Sequence, residues 1–585
     1  MLRSRKVVAS LIRSLTLGTA ATVAIGAATT TLVACKDESQ PGYWVGKLED
    51  PPWRPRSVKR LEQFYEDAAT KASSDREAPD VKALVDEVID PLTKLYVDEY
   101  SNLDTKTRVT LIKLLGAFRD KRAEPAIRKA FEEFAKRPRT TKDEQDIKWA
   151  ALAAGDMKLE SVADPMLQAF TKLKASSMLG GIVYKDFSKA MNQLSHSSWS
   201  GTLTSMLEPE IKVPRSAKDR DLIDPYRDQL FWQVTAAEIL GRIGDASAVE
   251  PLLKVMLDPA KADVQATAAL ALVKIGKPAA DATAKLLKGE ADKLIAFNRR
   301  RIKEVTGARE EPTGKPYLPT AALVLGTIGR SESITPLVEA LKGNVEDENK
   351  AIIARELTKL PPTPESKRAF KNVFESISLE TVVPPGESAL QMLAEASGQF
   401  FDAGMVDWLI DRAANTKGGG EDLKALQGTL LLTMVKLAKP EQMSKVKAAF
   451  SRYGTKLEND LLAQVEPLVK ECADRVDCYL TAIEKSENLD QKNQYAGIKA
   501  GYMIGILGDE KARDALIERL ESIDNAAVRF VAAKVIDTLS PKGSAEVAKQ
   551  LEAIIEKNEK SADRDKAAAD APLKQVMYRV EARAS

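Results

Sequence analysis

Apolar positions along this chain recur at helical rather than strand spacing, most regularly between Gln233 and Asp258. Val234, Ala237, Leu240 and Ile243 stand three apart, forming one stripe of an amphipathic helix. Gly244 and Asp245 end that helix, because glycine accepts the left-handed conformation that closes helices. A second stripe follows at once through Ala248, Val249, Leu252, Leu253, Met256 and Leu257, with Pro251 in its opening turn, where a missing N–H costs little. Neither short helix buries its stripe alone, so the pair predicts neighbours of its own kind.

Those neighbours are written in the chain. LGRIG at 240–244 returns as LVKIG at 272–276, as LGTIG at 325–329 and as IGILGD at 504–509. The second helices keep phase: Pro336 follows Gly329 by the same interval that separates Pro251 from Gly244. LLGAFRDKRAEPAIRKAF at 114–131 repeats the pattern one residue short. Helix pairs with glycine and proline in register, at periods of about 40 or somewhat less, point to an α-solenoid. The chain resembles the HEAT family in its short bacterial, PBS-lyase-like form, closely at 233–289, 319–343 and 499–524 and less so at 108–134. The resemblance implies an all-α HEAT-type solenoid of stacked antiparallel helix pairs, used as a curved binding surface. It brings no catalytic residues with it.

Divisions follow where the pattern holds and lapses. Residues 1–34 read as a leader and 35–42 as a polar tether. Residues 43–174 read as an N-terminal cap and first repeats, with Tyr43, Trp44, Leu48 and Trp53 as apolar anchors of the cap; the two tryptophans serve either the core or an exposed recognition patch. Glycines, serines and prolines break 175–227 into short helices and a loop, which together read as an irregular insertion. Regular repeats occupy 228–343, interrupted by a second insertion at 290–317, where one helix would run on to Arg301 before a loop through Pro316. Divergent helical repeats fill 344–490 and the last repeats 491–559. Residues 560–585 read as a polar break, a short closing strand or helix, and a frayed end.

The leader changes the picture most. Arg3, Arg5, Lys6 and Arg13 precede or enter an uncharged apolar run that ends at Leu32-Val33-Ala34-Cys35, followed by the polar KDESQPG. This layout is that of a secretory signal, and its last four residues resemble a bacterial lipobox, in which small residues admit the signal peptidase and Cys35 receives diacylglycerol. Acylation there implies a lipid-anchored protein, since each buried methylene contributes roughly 0.8 kcal/mol. Lys36 follows the cysteine, and by resemblance to the enterobacterial sorting pattern, in which Asp at that place retains the protein at the inner membrane, this favours the outer membrane, on its periplasmic side or at the cell surface.

Only two cysteines remain, Cys472 and Cys478, flanking an expected turn between two helices. Two readings are open: a disulfide pinning the hairpin, as an oxidising compartment permits, or two unrelated buried thiols. Their spacing is too wide for a C-x-x-C redox motif, and two thiols without histidine are too few for zinc.

The four basic residues of the leader outweigh the formal net charge of +2, so the mature chain is nearly neutral and shows no electrostatic footprint for nucleic acid. Its densest basic cluster is Arg299, Arg300, Arg301 and Lys303, which either contacts an acidic partner or is neutralised by Glu304, Glu310 and Glu311. His196 is the chain's one histidine. That excludes multi-histidine metal sites, and the surrounding LSHSSWS lacks a nucleophile elbow, so a loop or helix-cap role is expected. Gly418-Gly419-Gly420 lacks the flanking strand and the GK[ST] ending of a phosphate loop, and no cofactor is expected.

Two function classes follow. One is a noncatalytic, lipid-anchored scaffold or assembly factor of the bacterial envelope that binds a protein partner on a curved helical surface. The other is an enzymatic or small-ligand-binding lipoprotein with its pocket in 175–227.

Overall fold

The computed structural model describes residues 37–137, 145–176, 180–214, 216, 218–485, 491–561 and 568–584. The leader and Cys35 lie outside them. Among the described residues the chain is all-α apart from one hairpin of two-residue strands. Helices run as α1 (Pro41–Gly46), α2 (Arg54–Lys71), α3 (Pro79–Glu99), α4 (Thr105–Phe118), α5 (Glu124–Lys136), α6 (Gln145–Asp156), α7 (Ala163–Phe170), α8 (Gly180–Leu194) and α9 (Ser200–Met206). The middle of the chain holds α10 (Arg220–Ile243), α11 (Val249–Leu257), α12 (Ala262–Ile275), α13 (Lys277–Lys288), α14 (Asp292–Thr306), α15 (Leu318–Ile328), α16 (Ile334–Leu341), α17 (Asp347–Leu357) and α18 (Pro364–Ser376). Strands β1 (Val382–Val383) and β2 (Glu387–Ser388) pair antiparallel, Val382 opposite Ser388. Then come α19 (Ala389–Ala396), α20 (Met405–Asn415), α21 (Gly420–Leu437), α22 (Met443–Tyr453), α23 (Lys456–Cys472), α24 (Val476–Glu484), α25 (Gln491–Leu507), α26 (Glu510–Arg519), α27 (Ala526–Thr538), α28 (Ala545–Lys560) and α29 (Ala571–Ala584).

These helices stand in two rows. The first row passes α2, α4, α6, α8, α10, α12, α15, α17, α19, α21, α25 and α27, each packed on the next. The second row, including α5, α7, α11, α13, α16 and α18, covers it from one side. The hairpin α10–α11 packs directly on α12–α13, as the repeat pattern predicts.

The motif glycines have distinct causes. A Cβ on Gly241 would stand 2.6 Å from Ala271 Cα, so the first glycine of LGRIG lets α10 and α12 approach. Gly244 takes φ 74° and its N–H reaches Leu240 O, closing the helix in the left-handed region that other residues enter at a cost. A short 3-10 turn then leads into the second-row helix, and its cap is a side chain: Asp120 accepts from Arg122 N and Asp245 from Ser247 N, both at 2.9 Å.

Several expectations change here. Residues 175–227 are not an irregular insertion for most of their length. Helix α8 takes its place in the first row between α6 and α10, α9 packs on α10, and Trp199 is fully buried with its Nε1–H donating to Ala163 O at 3.1 Å. The short helices read there are α8 and α9, and the loop is the stretch without helix at 207–214. The helix expected to run on to Arg301 stops at Lys288, where Gly289 takes φ 83°, and α14 is a separate helix packed on α11. The tail is not frayed: Leu573, Val576, Met577, Tyr578, Arg579 and Val580 of α29 are buried. Trp44 is a core residue, with Nε1–H donating to Glu38 O at 2.8 Å, while Trp53 is half-buried.

Candidate functional site

Helix α29 packs on α27 and α28 and also on α12, so the first row closes on itself from α12 round to α29. The closure is polar. Arg579 donates through Nε to Thr327 O at 2.8 Å and through another nitrogen to Gly326 O. Arg583 donates to Gly329 O at 2.7 Å and to Ser540 O at 3.2 Å. In return Arg330 donates to Ala582 O at 2.8 Å. All these acceptors lie at helix C-termini, where the last carbonyls lack intrahelical partners and carry about half a negative charge per helix. Arginine is suited to the place, because one guanidinium serves several carbonyls at fixed angles. Gly329 is required twice over, by its φ of 73° and because a Cβ there would stand 2.8 Å from the Arg579 guanidinium.

Carboxylates complete the cluster. Asp537 pairs with Arg579, and with Arg583 at 2.9 Å. Burial works against its charge, but the two arginines outweigh burial and hold its carboxyl below the usual range. Glu356 is fully buried and bridges Lys359 at 2.6 Å and Arg355 at 2.9 Å. Burial depresses Lys359. Lys534, on the same face of α27 as Asp537, is pushed down to about 8, first by burial and then by Arg579. Lys359, Lys534, Asp537 and Arg583, together with Gln399 and Phe401, line a cavity of about 20 Å³. Further along the seam, Lys274 sits 4.5 Å over the Tyr578 ring, beside a cavity of about 150 Å³ between α10, α12 and α29.

The basic cluster at 299–303 is divided by the fold. Arg301 is a structural residue, its side chain 6% exposed and held by Asp258 at 3.1 Å, Glu210 at 2.6 Å and Glu304 at 2.7 Å. Asp258 ends α11, so this arginine fastens α14 to the repeat beneath it. Arg299 donates to Gly314 O at 2.8 Å, and Arg300 lies 5.7 Å over Phe297. Lys303 is partly exposed on the same helix. The cations therefore do not form one patch.

His196 stands where Asp120 and Asp245 stand in other repeats, as cap of a 3-10 turn, its Nδ1 accepting from Ser198 N at 3.3 Å. Ser198 Oγ lies 2.8 Å from that ring nitrogen and donates to Asp164 at 3.2 Å. The serine, not the histidine, holds the carboxylate, which is the wrong order for a charge-supported base. His196 lines neither of the seam cavities, nor the one of about 600 Å³ beside Tyr43 and Lys47, nor the one of about 510 Å³ beside Lys367 and Asp402. Cys472 and Cys478 are joined across the turn between α23 and α24, with Cα atoms 5.3 Å apart. Tyr479 closes the same turn by donating to Ala473 O at 2.8 Å.

Sequence reasoning missed Arg579, Arg583, Lys534 and Asp537. The available signal was YRVEAR at 578–583, two arginines one helical turn apart on an otherwise apolar stripe. Residues 232–258 match the family model of the PBS lyase HEAT-like repeat, which spans the second half of α10 and all of α11. No curated protein matches the chain.

Proposed function

We propose that this chain is a noncatalytic scaffold or assembly factor, a HEAT-type solenoid along its whole length, anchored in the bacterial outer membrane through lipid on Cys35 and engaging an envelope protein. The observation that carries the reading is the unbroken first row α2, α4, α6, α8 and α10, a surface built by repetition that begins beside the tether. Helix α29 closes the row between α12 and α27, and we take the arm preceding α12, outside that closure, as the partner-binding part. Exposed Lys185 and Lys189 on α8, and the partly buried Trp149 with Lys148 5.3 Å over its ring, give that arm polar and aromatic contact groups. The lipid anchor rests on the basic and apolar leader and on Leu32-Val33-Ala34-Cys35. Among the described residues no helix is long and apolar enough to cross a membrane, which is compatible with attachment by lipid.

The test is photocrosslinking in the native envelope from position 185 on the arm and from position 303 on α14. A discrete protein adduct from the arm supports the reading. Adducts from neither position, with the lipidated chain present at normal level, refute it.

A further inference from the structure

The charges at the ring closure do not balance within the protein. Arg355 and Lys359 face Glu356, Arg579 and Arg583 face Asp537, and Lys534 has no hydrogen-bonded or ion-paired partner among the described residues. Three positive charges are therefore in excess. Helices α15, α17, α27 and α29 all end at this pole, and their termini supply about two negative charges in sum. About one positive charge is left inside a site that burial makes unfavourable for it.

The vacant donors point at one place. Arg583 Nε, in a side chain 6% exposed, has no hydrogen-bond partner, and it lines the cavity with Lys534. Gln399 Oε1 in the same wall is also unpartnered, and turning that amide over aims its NH₂ inward instead. The volume of about 20 Å³ admits one water-sized species and no more. Asp537 in the lining is ion-paired with both arginines, which lessens its repulsion of such a guest, although its Oδ1, 2.9 Å from Arg583, accepts no hydrogen bond.

We propose that this cavity binds a single monovalent inorganic anion of chloride size against Lys534 and Arg583, bolting α27 and α29 to the loop after α17. The site is independent of the scaffold reading and of the lipid. It is tested on the full chain. Crystals soaked in bromide should show an anomalous peak within hydrogen-bond distance of Lys534 Nζ. Thermal unfolding at fixed pH and ionic strength should give a Tm about 2 °C higher in chloride than in gluconate, and Lys534→Met should remove that difference. Bromide-soaked crystals without a peak in the cavity overturn the proposal whatever the variant does, and so does a chloride response that Lys534→Met leaves unchanged.

Discussion

Arg579 donates to the carbonyl of Thr327 across 252 residues of chain at 2.8 Å, and that contact turns a row of repeats into a closed ring. A solenoid held by nearest-neighbour contacts alone loses stability gradually from its ends. Here the last helix is bound to the third repeat of the regular series, so the end is also an interior.

Arg579→Met should therefore cost far more than a terminal substitution. It leaves buried Asp537 with Arg583 as its one remaining arginine and frees the carbonyls of Gly326 and Thr327, with an expected loss of about 3 kcal/mol. Urea unfolding followed by circular dichroism measures it. Arg579→Met combined with Asp537→Asn should recover part of the loss, and a single variant as stable as the parent would contradict the clasp.

Lys499 supplies a pH signature. It is 1% exposed, donates to Lys436 O at 3.2 Å and Ala438 O at 2.5 Å, and burial holds it at about 7 against 10.5 for a free lysine. Between pH 7 and 10.5 the unfolded chain binds a proton there that the folded chain does not. Stability from this group therefore rises with pH through that window and is flat outside it. Unfolding midpoints from pH 7 to 10 should climb in the parent and climb less in Lys499→Met.

Gly241→Val places a branched side chain where a Cβ alone would stand 2.6 Å from Ala271 Cα. Separation of α10 from α12 should cost about 1–3 kcal/mol, read as a lower Tm with helical content retained.

For Cys472 and Cys478, peptide mapping without reductant should recover the two peptides linked. Closing so short a loop contributes on the order of 2 kcal/mol in the chain-entropy model, so Cys472→Ala with Cys478→Ala should lower stability by up to that amount. Free thiols at both positions in protein taken from the envelope would refute the pairing.

Cys35→Ala should abolish lipid labelling and normal maturation. Unaltered cleavage and membrane fractionation of C35A would refute the lipid anchor, and protease treatment of intact cells then reports which side of the membrane the body faces.

What the sequence determined by itself was local. Spacing of Val234, Ala237, Leu240 and Ile243 specifies a helix because the helical period sets which side chains share a face, and Gly244 and Pro251 punctuate it because their backbones permit or forbid one conformation. His196 as a cap was legible for the same reason, since a cap satisfies groups within two or three residues. That α8 belongs to the repeat row was not legible in 175–227, because its glycines and serines have weak helix propensity, which packing of Phe187 and Trp199 overrides. Neutralisation of Arg301 by its neighbour Glu304 was legible as one of two readings, whereas Asp258 and Glu210, distant in the chain, were not. The ring was not legible at all. Whether a row of repeats stays open or returns on itself depends on small angles accumulated over many helix contacts, and no stretch of sequence records that sum. Only in the tertiary structure do Arg579 and Arg583 meet the carbonyls at 326–329 that give them a purpose.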